Sequence, residues 1–349
     1  MKKNVCIHML NAAAALSLLA PVSSCTEIRV DIGSETGTYI EFASALTKAP
    51  VNSASDITEF AVWAYYQAAD GSCTDVFGQT GTENTGITVS RTGGSWTYEN
   101  PKMWEFGVTY TFYGIYPADT EGVSMTAAAA DENPHIVMEN YSILSAENAG
   151  EDLMLAVDDG INYPEGSDTA PVSLRFTHLL SMVDLVCRPY GSQADWPENY
   201  KPEVHSVKLY GIGSEATFRS AGFIPGNIQS IRRGWTVDAS AATTESSPYA
   251  DAGITAPVLI DTETNLLKDV MVFPQTFAPG MRIGIEYTAS KDSPVRNTVM
   301  ELISLPLEAW EAGKHYVYTF TISPEGRIIF EVPDVRPWED ASGGIIIIE

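Results

Sequence analysis

Short runs of alternating apolar and polar residues recur along this chain, and clusters of Gly, Pro, Asn and Asp separate them. Alternation with a period of two is typical of β-strands, whereas the longer period of an amphipathic helix is hard to find here. The pattern predicts strands at 39–45, 59–66, 86–90, 95–98 and 109–116 in the first half. In the second half it predicts strands at 172–176, 178–186, 204–210, 258–260, 269–273, 282–288, 298–304, 316–322 and 327–332. We therefore expect an all-β protein.

Three of these strands carry further information. Residues 59–65 are so densely apolar and aromatic that both faces of the strand are expected to be covered. The strand at 109–116 is followed by Pro117, which has no N–H to donate to a neighbouring strand and should end it. Residues 282–288 alternate cleanly, which predicts one face in a core and one face in water.

The length of the chain favours two domains. Its 349 residues exceed what one hydrophobic core usually holds. Residues 161–171 are rich in Asp, Gly, Pro and Ser, which is typical of a linker between domains. The predicted organisation is a β-sandwich at 25–160, the linker, and a second β-sandwich at 172–349. The second ends in four consecutive isoleucines, which can pack only by joining a sheet, either their own or a neighbour's.

The first 25 residues have the pattern of an export signal. Lys2 and Lys3 precede an apolar run at 12–20, and Val22-Ser23-Ser24-Cys25 is a small-residue run that ends in a cysteine. The apolar run is far too short to span a bilayer. We interpret 1–24 as a lipoprotein signal peptide and Cys25 as the lipidated residue, which would tether the domain to a membrane. The alternative is an ordinary secretory signal in which the cysteine has no role.

Charge and cysteine content narrow the range of partners and folds. The chain has 20 Lys plus Arg against 45 Asp plus Glu, a formal net charge of −25. Nucleic acid is not an expected partner, because binding phosphates requires clustered Lys and Arg. Cys73 and Cys187 are the cysteines that remain beyond Cys25. They form either one disulfide or two buried thiols, because a chain of this length does not need a covalent staple.

No motif for catalysis, metal binding or cofactor binding emerges, so we expect no catalytic residue, no metal, no cofactor and no enzyme activity. Four histidines beyond the signal are far apart and show no zinc spacing; they are His135, His178, His205 and His315. His178, flanked by Phe176 and Leu179, is expected to be a packing residue. The acidic pairs Glu151-Asp152 and Asp158-Asp159 could serve acid–base chemistry or bind calcium, but solvated loop residues are the favoured interpretation.

Most of the seven tryptophans are expected to pack inside the domains. Trp196 and Trp235 lie in loop-like contexts, however, and Tyr249 follows in another long polar loop. These three residues support an alternative function: a surface lipoprotein that binds glycans or host ligands and does not polymerise.

Several motifs in a fixed order resemble the fimbrillin family, the lipoprotein subunits of type V pili in anaerobic Gram-negative bacteria. In the first half the motifs are Ile40-Glu41-Phe42, Thr47-Lys48-Ala49, Lys102-Met103-Trp104, 110–117 and 152–156. In the second half they are 172–178, Phe273-Pro274-Gln275 and 310–318. Together they cover nearly the whole chain after Cys25.

The resemblance implies a fold, a location and a mode of assembly. The fold would be two transthyretin-like Greek-key β-sandwich domains in tandem, and the protein would be a fimbrial subunit that contributes to adhesion. It would be anchored at the outer membrane on the cell surface, with other fimbrial subunits and host glycans or proteins as partners. Assembly would proceed by strand exchange, in which a protease removes the first strand and a segment of another subunit fills the exposed groove.

The resemblance also points to individual residues. In this family the cut commonly follows an Arg at the position that Lys48 holds here, so Lys48 is the candidate cleavage site. Arg29 is the weaker alternative, because a cut there comes too early to release 39–45. Ile40 and Phe42 are expected to plug the groove before cleavage. The candidate donor strand is Ile345, Ile346, Ile347 and Ile348, acting either within its own chain or in a neighbour.

Overall fold

A computed structural model describes residues 38–42, 57–78, 86–129, 132–145, 150–224, 227–338 and 345–348. Strands β1 to β10 are Glu59–Gln67, Cys73–Phe77, Ile87–Thr92, Ser95–Thr97, Thr109–Tyr116, Val123–Met125, Ile136–Ser142, Met154–Asn162, Leu174–His178 and Ser181–Arg188. Strands β11 to β18 are Tyr200–Tyr210, Glu215–Arg219, Trp235–Val237, Ala250–Asp251, Val258–Leu259, Thr264–Val272, Arg282–Ser290 and Arg296–Glu301. Strands β19 to β22 are Lys314–Ile322, Ile328–Phe330, Asp334–Pro337 and Ile345–Ile348.

Helical structure in the described residues is short. One α-helix, α1, covers Ile228–Gly234, and 3₁₀ turns cover Gln193–Asp195, Ala239–Ala241 and Leu302–Ser304. The Asn227 side chain caps α1 by accepting hydrogen bonds from the backbone N–H groups of Gln229 and Ser230. The prediction of an all-β protein is confirmed.

The largest sheet, sheet 1, has eight strands in the order β22-β9-β8-β5-β1-β3-β4, with β2 also paired to β1. Its neighbouring strands pair antiparallel. The segment predicted as a linker largely connects β8 to β9, and these two strands are neighbours in this sheet. Strand β5 ends at Tyr116, directly before Pro117, as the sequence predicts.

Three smaller sheets contain the rest of the strands. Sheet 2 has the order β16-β10-β19-β20, with β21 paired to β19; sheet 3 has the order β14-β11-β17-β18, with β15 paired to β11. Sheet 4 has the order β13-β12-β7-β6 and so combines segments from both halves of the chain. Strands β10 and β19 run parallel, whereas the other pairs of these sheets are antiparallel.

Two hydrophobic cores lie on opposite faces of sheet 1. In β1, Phe60 and Val62 belong to one core and Trp63 to the other, because successive side chains of a strand point to opposite faces. The prediction that both faces of this strand are covered is confirmed. We call the first the aromatic core; Phe60, Phe77, Phe112 and Phe176 are among its members.

The second core is larger and is built mainly by sheets 2, 3 and 4. It includes Trp310 and Phe320, both fully buried. In β17 the buried side chains of Ile283, Ile285 and Tyr287 alternate with more exposed ones, as the clean alternation of 282–288 predicts.

Candidate functional site

A short extended segment at 38–42 lies between two other parts of the chain. Tyr39 forms an antiparallel bridge with Met103, and Phe42 forms a parallel bridge with Val172. On one side the Ile40 N–H donates to the Lys102 carbonyl at 2.8 Å, and the Trp104 N–H donates to the Thr38 carbonyl at 2.9 Å. On the other side the Val172 N–H donates to the Glu41 carbonyl at 2.8 Å. We call residues 38–42 the covering segment.

Two side chains of the covering segment enter the aromatic core. Ile40 is 1% exposed and Phe42 is 6% exposed. Tyr39, which precedes Ile40, and Glu41, which lies between the two, are exposed. The Phe42 ring packs edge-on against Phe60 and Phe112, with ring centroids 6.1 and 6.3 Å apart. Burying a side chain of this size stabilises a fold by about 1.5–3 kcal/mol. The covering segment therefore closes the aromatic core with two side chains and a few backbone hydrogen bonds.

Tyr98 ties the covering segment to the sheet below it. Its phenol donates to the Ile40 carbonyl at 2.7 Å and accepts from the Lys102 N–H at 3.2 Å. The Tyr98 ring also packs edge-on against Phe42, with centroids 5.8 Å apart. Burial raises the pKa of this phenol, so it keeps its proton for donation at physiological pH. Sequence reasoning missed this residue, although its place one residue after β4 and four before Lys102 puts it beside the Lys102-Met103-Trp104 motif.

The tryptophan of that motif lines the same core. Trp104 packs edge-on against Tyr110 and Tyr163, with centroids 4.8 and 5.0 Å away. Its indole Nε1 is buried with no hydrogen-bond partner in the described part of the chain. The motif thus supplies both the backbone edge on which the covering segment pairs and a wall of the core beneath it.

The C-terminal strand β22 pairs antiparallel with β9 at the edge of sheet 1. Ile345 lies opposite Thr177 and Ile348 lies opposite Leu174. The prediction that these isoleucines join a sheet is confirmed, and in this structure the sheet belongs to their own chain. Val172 pairs with the covering segment, and β9, which begins two residues later at Leu174, pairs with β22. The first and the last described segments of the chain therefore pair with the same short stretch.

Residues 47–338 match the sequence model of the fimbrillin-like family. The chain belongs to the fimbrillin-like family. This membership indicates a fimbrial protein of the cell surface and favours a structural role over an enzymatic one. A search of curated proteins found no significant match.

A solved structure of a fimbrial protein has a similar fold. A fimbrial protein from Bacteroides vulgatus ATCC 8482 is 15% identical, with 86% of this chain and 99% of that chain covered and a TM-score of 0.56. A protein from Bacteroides uniformis ATCC 8492, assigned to cell adhesion, is 18% identical over 87% of this chain and 98% of its own, with a TM-score of 0.45. At 15% identity the likeness to the Bacteroides vulgatus protein is one of fold.

Some predicted sites of this fimbrillin-like chain lie outside the described residues. They are the signal peptide at 1–24, the lipidation site Cys25 and the candidate cleavage sites Arg29 and Lys48. The roles predicted for these residues stay predictions. No helix in the described ranges is long and apolar enough to cross a membrane.

His178 is a buried packing residue, as the sequence predicts. It is 1% exposed; its Nδ1 lies 2.9 Å from an Asp152 carboxylate oxygen, and its ring stacks on Trp338 with centroids 4.5 Å apart. The Trp338 N–H donates to the Gly313 carbonyl at 2.9 Å. Asp152 is therefore a buried partner of a histidine rather than a solvated residue, and sequence reasoning missed this contact because the two residues lie 26 positions apart in the chain.

The other titratable residues discussed above do not come together in a reactive centre. His315 of β19 lies 3.2 Å from Asp184 of β10, and His205 lies 3.2 Å from the Thr288 hydroxyl. Asp158 is half-buried. Burial is the main reason why the pKa of its carboxyl is raised, and the negative charge of Asp159 raises it further. Within the described residues, no group of three or more His, Cys, Asp or Glu side chains could hold a metal ion.

Cys73 and Cys187, the two cysteines in the part of the chain that the structure describes, are both free thiols. Cys187 is fully buried in β10, and burial raises the pKa of its thiol. Cys73 begins β2 and is half-buried; burial raises the pKa of its thiol too. Of the two alternatives that the sequence left open, the structure has two thiols rather than a disulfide.

The aromatic residues proposed for glycan binding are mostly inside the molecule. Trp235 and Tyr249 belong to the second core, where the Trp235 indole donates to the Leu179 carbonyl at 3.0 Å and the Tyr249 phenol donates to the Met271 carbonyl at 2.6 Å. Trp196 is half-buried, and its indole packs edge-on against Tyr200. These three side chains do not form one exposed surface, so they do not support the alternative function.

Proposed function

We propose that this fimbrillin-like chain is a structural subunit of a cell-surface fimbria that contributes to adhesion, is exported as a lipoprotein and assembles by protease-triggered strand exchange. The observation that supports this best is the covering segment. In the described part of the chain, residues 38–42 close the aromatic core through Ile40 and Phe42, and they pair with neighbouring segments through isolated bridges.

Removal of the covering segment would leave an acceptor for another strand. The backbone groups of Lys102, Trp104 and Val172 would lose their partners, and the side chains of Phe60 and Phe112 would lose their cover. An extended segment can satisfy such an edge along its length while its alternate side chains fill the pockets. Since the exposed core would lose about 1.5–3 kcal/mol for each of the two apolar side chains, a replacement strand is favoured.

The donor in this proposal is the strand Ile345–Ile348 of another copy. Its pairing with β9 holds it on its own chain before assembly. Transfer to a neighbour exchanges one set of backbone hydrogen bonds for another, so the gain comes from refilling the vacated groove. In this proposal, the aromatic core is the interior of the first of the two predicted transthyretin-like sandwiches.

Processing sets the order of events. A cut after Lys48 would release the lipid anchor at Cys25 together with the covering segment, whereas a cut after Arg29 would leave the covering segment in place. The lysine at position 48 means that the protease must accept Lys, which is a specific requirement for this chain.

The test is to treat the lipid-free protein, residues 26–349, with a lysine-specific protease and to examine the products by N-terminal sequencing, gel filtration and electron microscopy. We expect a new N-terminus at Ala49 and filaments. Lys48→Gln should remain monomeric, and a chain without 345–349 should be cut but should not polymerise. Monomers with an intact fold after cleavage at Lys48 would refute strand exchange.

A further inference from the structure

A cavity of about 530 Å³ opens at one end of sheet 1, on the face that carries the second core. Strands β1, β5 and β8 form its floor, and residues 132–135 and 220–223 form its walls. Its volume lies within the range of small-molecule sites, about 300–1,000 Å³. Because the covering segment packs on the opposite face of the sheet, the cavity is separate from the proposed assembly groove.

The floor is a row of polar side chains on neighbouring strands. Tyr65 of β1 lies opposite Thr111 of β5, and Thr111 lies opposite Asp159 of β8. The register between β5 and β8 shifts at Tyr110/Thr111, and the register between β1 and its other neighbour β2 shifts at Ala64/Tyr65. Such bulges re-aim side chains and are frequent beside functional sites. At this end of the sheet, the face that buries Trp63 and Ile115 elsewhere becomes a surface of hydroxyl and carboxyl groups.

The polar groups around the cavity are held in place by their neighbours. The Tyr113 phenol donates to the Pro134 carbonyl at 2.9 Å. At the mouth, the Gln67 amide donates to the Asn133 side-chain oxygen at 3.3 Å. Interactions among these side chains fix their positions before any ligand arrives, which reduces the entropy lost on binding.

One buried group at the cavity lacks a partner. His135 is 4% exposed, and its Nδ1 lies 3.1 Å from the Thr126 hydroxyl and 3.3 Å from the Asn133 carbonyl. Its Nε2 is buried and has no hydrogen-bond partner in the described part of the chain. Buried polar atoms of this kind are nearly always satisfied, by protein, water or a ligand.

The charges at the cavity restrict the ligand. Glu132 and Asp159 line it, and none of the described lining residues is Lys or Arg. Carboxylates without a compensating cation repel an anionic ligand. The remaining lining groups are hydroxyls, amides and an imidazole, which offer both donors and acceptors, together with the apolar surfaces of Val157 and Phe223.

We propose that this cavity binds an uncharged sugar unit of a glycan. Sugar hydroxyls both donate and accept hydrogen bonds, so they match the mixed lining of hydroxyl, amide and carboxyl groups, while the apolar C–H face of the ring packs on Val157 or Phe223. An ammonium group only donates, so it would use the carboxylates but not the amide N–H groups of Gln67 and Asn133.

The experiment is saturation-transfer NMR followed by calorimetry on residues 26–349. The probes are the methyl glycosides of glucose, galactose, mannose and N-acetylglucosamine, with methyl glucosaminide and methyl glucuronide as the cationic and anionic probes. Ala221→Trp places a bulky ring at an exposed position of the cavity wall. Ala256→Trp, an exposed residue that does not line the cavity, is the matched control.

We expect an uncharged glycoside to bind, and Ala221→Trp to weaken binding about tenfold or more while Ala256→Trp leaves it unchanged. Asn133→Ala should weaken binding about three- to tenfold through the loss of one hydrogen bond. If Ala221→Trp lowers the melting temperature, the effect of Asn133→Ala on binding is the test of the proposal. No binding at about 10 mM, tighter binding of either charged probe, or insensitivity to both variants would overturn the proposal. Filament formation by Ala221→Trp should be normal, so the failure of this proposal and the failure of strand exchange are distinguishable.

Discussion

The two cores of this fimbrillin-like protein are buried to a similar degree but are closed in different ways. Continuous strands enclose the second core; Tyr200–Tyr210 and Arg282–Ser290, for example, pair over most of their length. The aromatic core depends on the covering segment, which within the described residues 38–42 has a single bridged residue on each side. Two cores that are equally buried can therefore differ in their stability against local opening, because a segment with few backbone contacts can detach while the rest of the fold stays intact.

The largest expected effect tests the second core. Phe320→Ala removes a fully buried ring from β19 and should lower the free energy of unfolding by about 3–5 kcal/mol, measured by denaturant titration. Val332→Ala, at a side chain that is 77% exposed, should have no measurable effect. If Phe320→Ala were as mild as its control, the second core would not be the permanent part of the molecule.

A smaller global effect is expected when the aromatic core loses its cover. Phe42→Ala should weaken the local attachment of the covering segment by about 2–4 kcal/mol, seen as faster hydrogen exchange at the amides of Ile40, Trp104 and Val172. The denaturant midpoint should fall less than in Phe320→Ala, because the covering segment opens without global unfolding. Tyr39→Ala, at an exposed neighbour, serves as the control; equal global losses in Phe42→Ala and Phe320→Ala would erase the difference between the cores.

The hydrogen bond from Tyr98 sharpens the same comparison. Tyr98→Phe keeps the ring against Phe42 and removes the donor to the Ile40 carbonyl, so the covering segment should lose about 0.5–1.5 kcal/mol. Hydrogen exchange of the Ile40 amide is the measurement. Tyr190→Phe, at an exposed tyrosine, should leave that exchange unchanged, and unchanged exchange in Tyr98→Phe would remove this phenol from the closure of the core.

The smallest expected effect concerns acid and the Asp184–His315 pair of sheet 2. Burial opposes ionisation of Asp184, but hydrogen bonds from His315, the Asp269 N–H and Asn265 prevail and lower the pKa of its carboxyl. A pKa that is lower in the folded state stabilises the fold above the unfolded pKa of about 3.9, and that stabilisation is lost as pH falls through the folded value. Melting temperature should therefore depend less on pH below about 4 in Asp184→Asn than in the wild type. Asp119→Asn, at an exposed residue, should keep the wild-type slope; an identical slope in Asp184→Asn would exclude this carboxyl as a source of acid sensitivity.

Local patterns in the sequence were enough for the fold class and for many of the strands. The two-sided burial of Glu59–Gln67 and the end of Thr109–Tyr116 before Pro117 follow from side-chain alternation and from the missing N–H of proline. The same patterns did not predict Ile136–Ser142 or Glu215–Arg219, which pair across the two halves of the chain in sheet 4. Their burial comes from partners distant in sequence, so alternation within each segment carries little signal.

The sequence alone predicted that the apolar covering segment and the four terminal isoleucines form strands, because each needs a sheet to bury its side chains. Which residues meet them was decided only in three dimensions: Tyr98 reaches the Ile40 carbonyl, Val172 pairs with Phe42, and β9 receives Ile345–Ile348. The polar cavity likewise arises where residues 132–135 and 220–223 close over Tyr65 and Asp159. Periodicity is a property of neighbours along the chain, whereas grooves, cavities and strand partners depend on contacts between segments far apart in sequence, which no local pattern encodes.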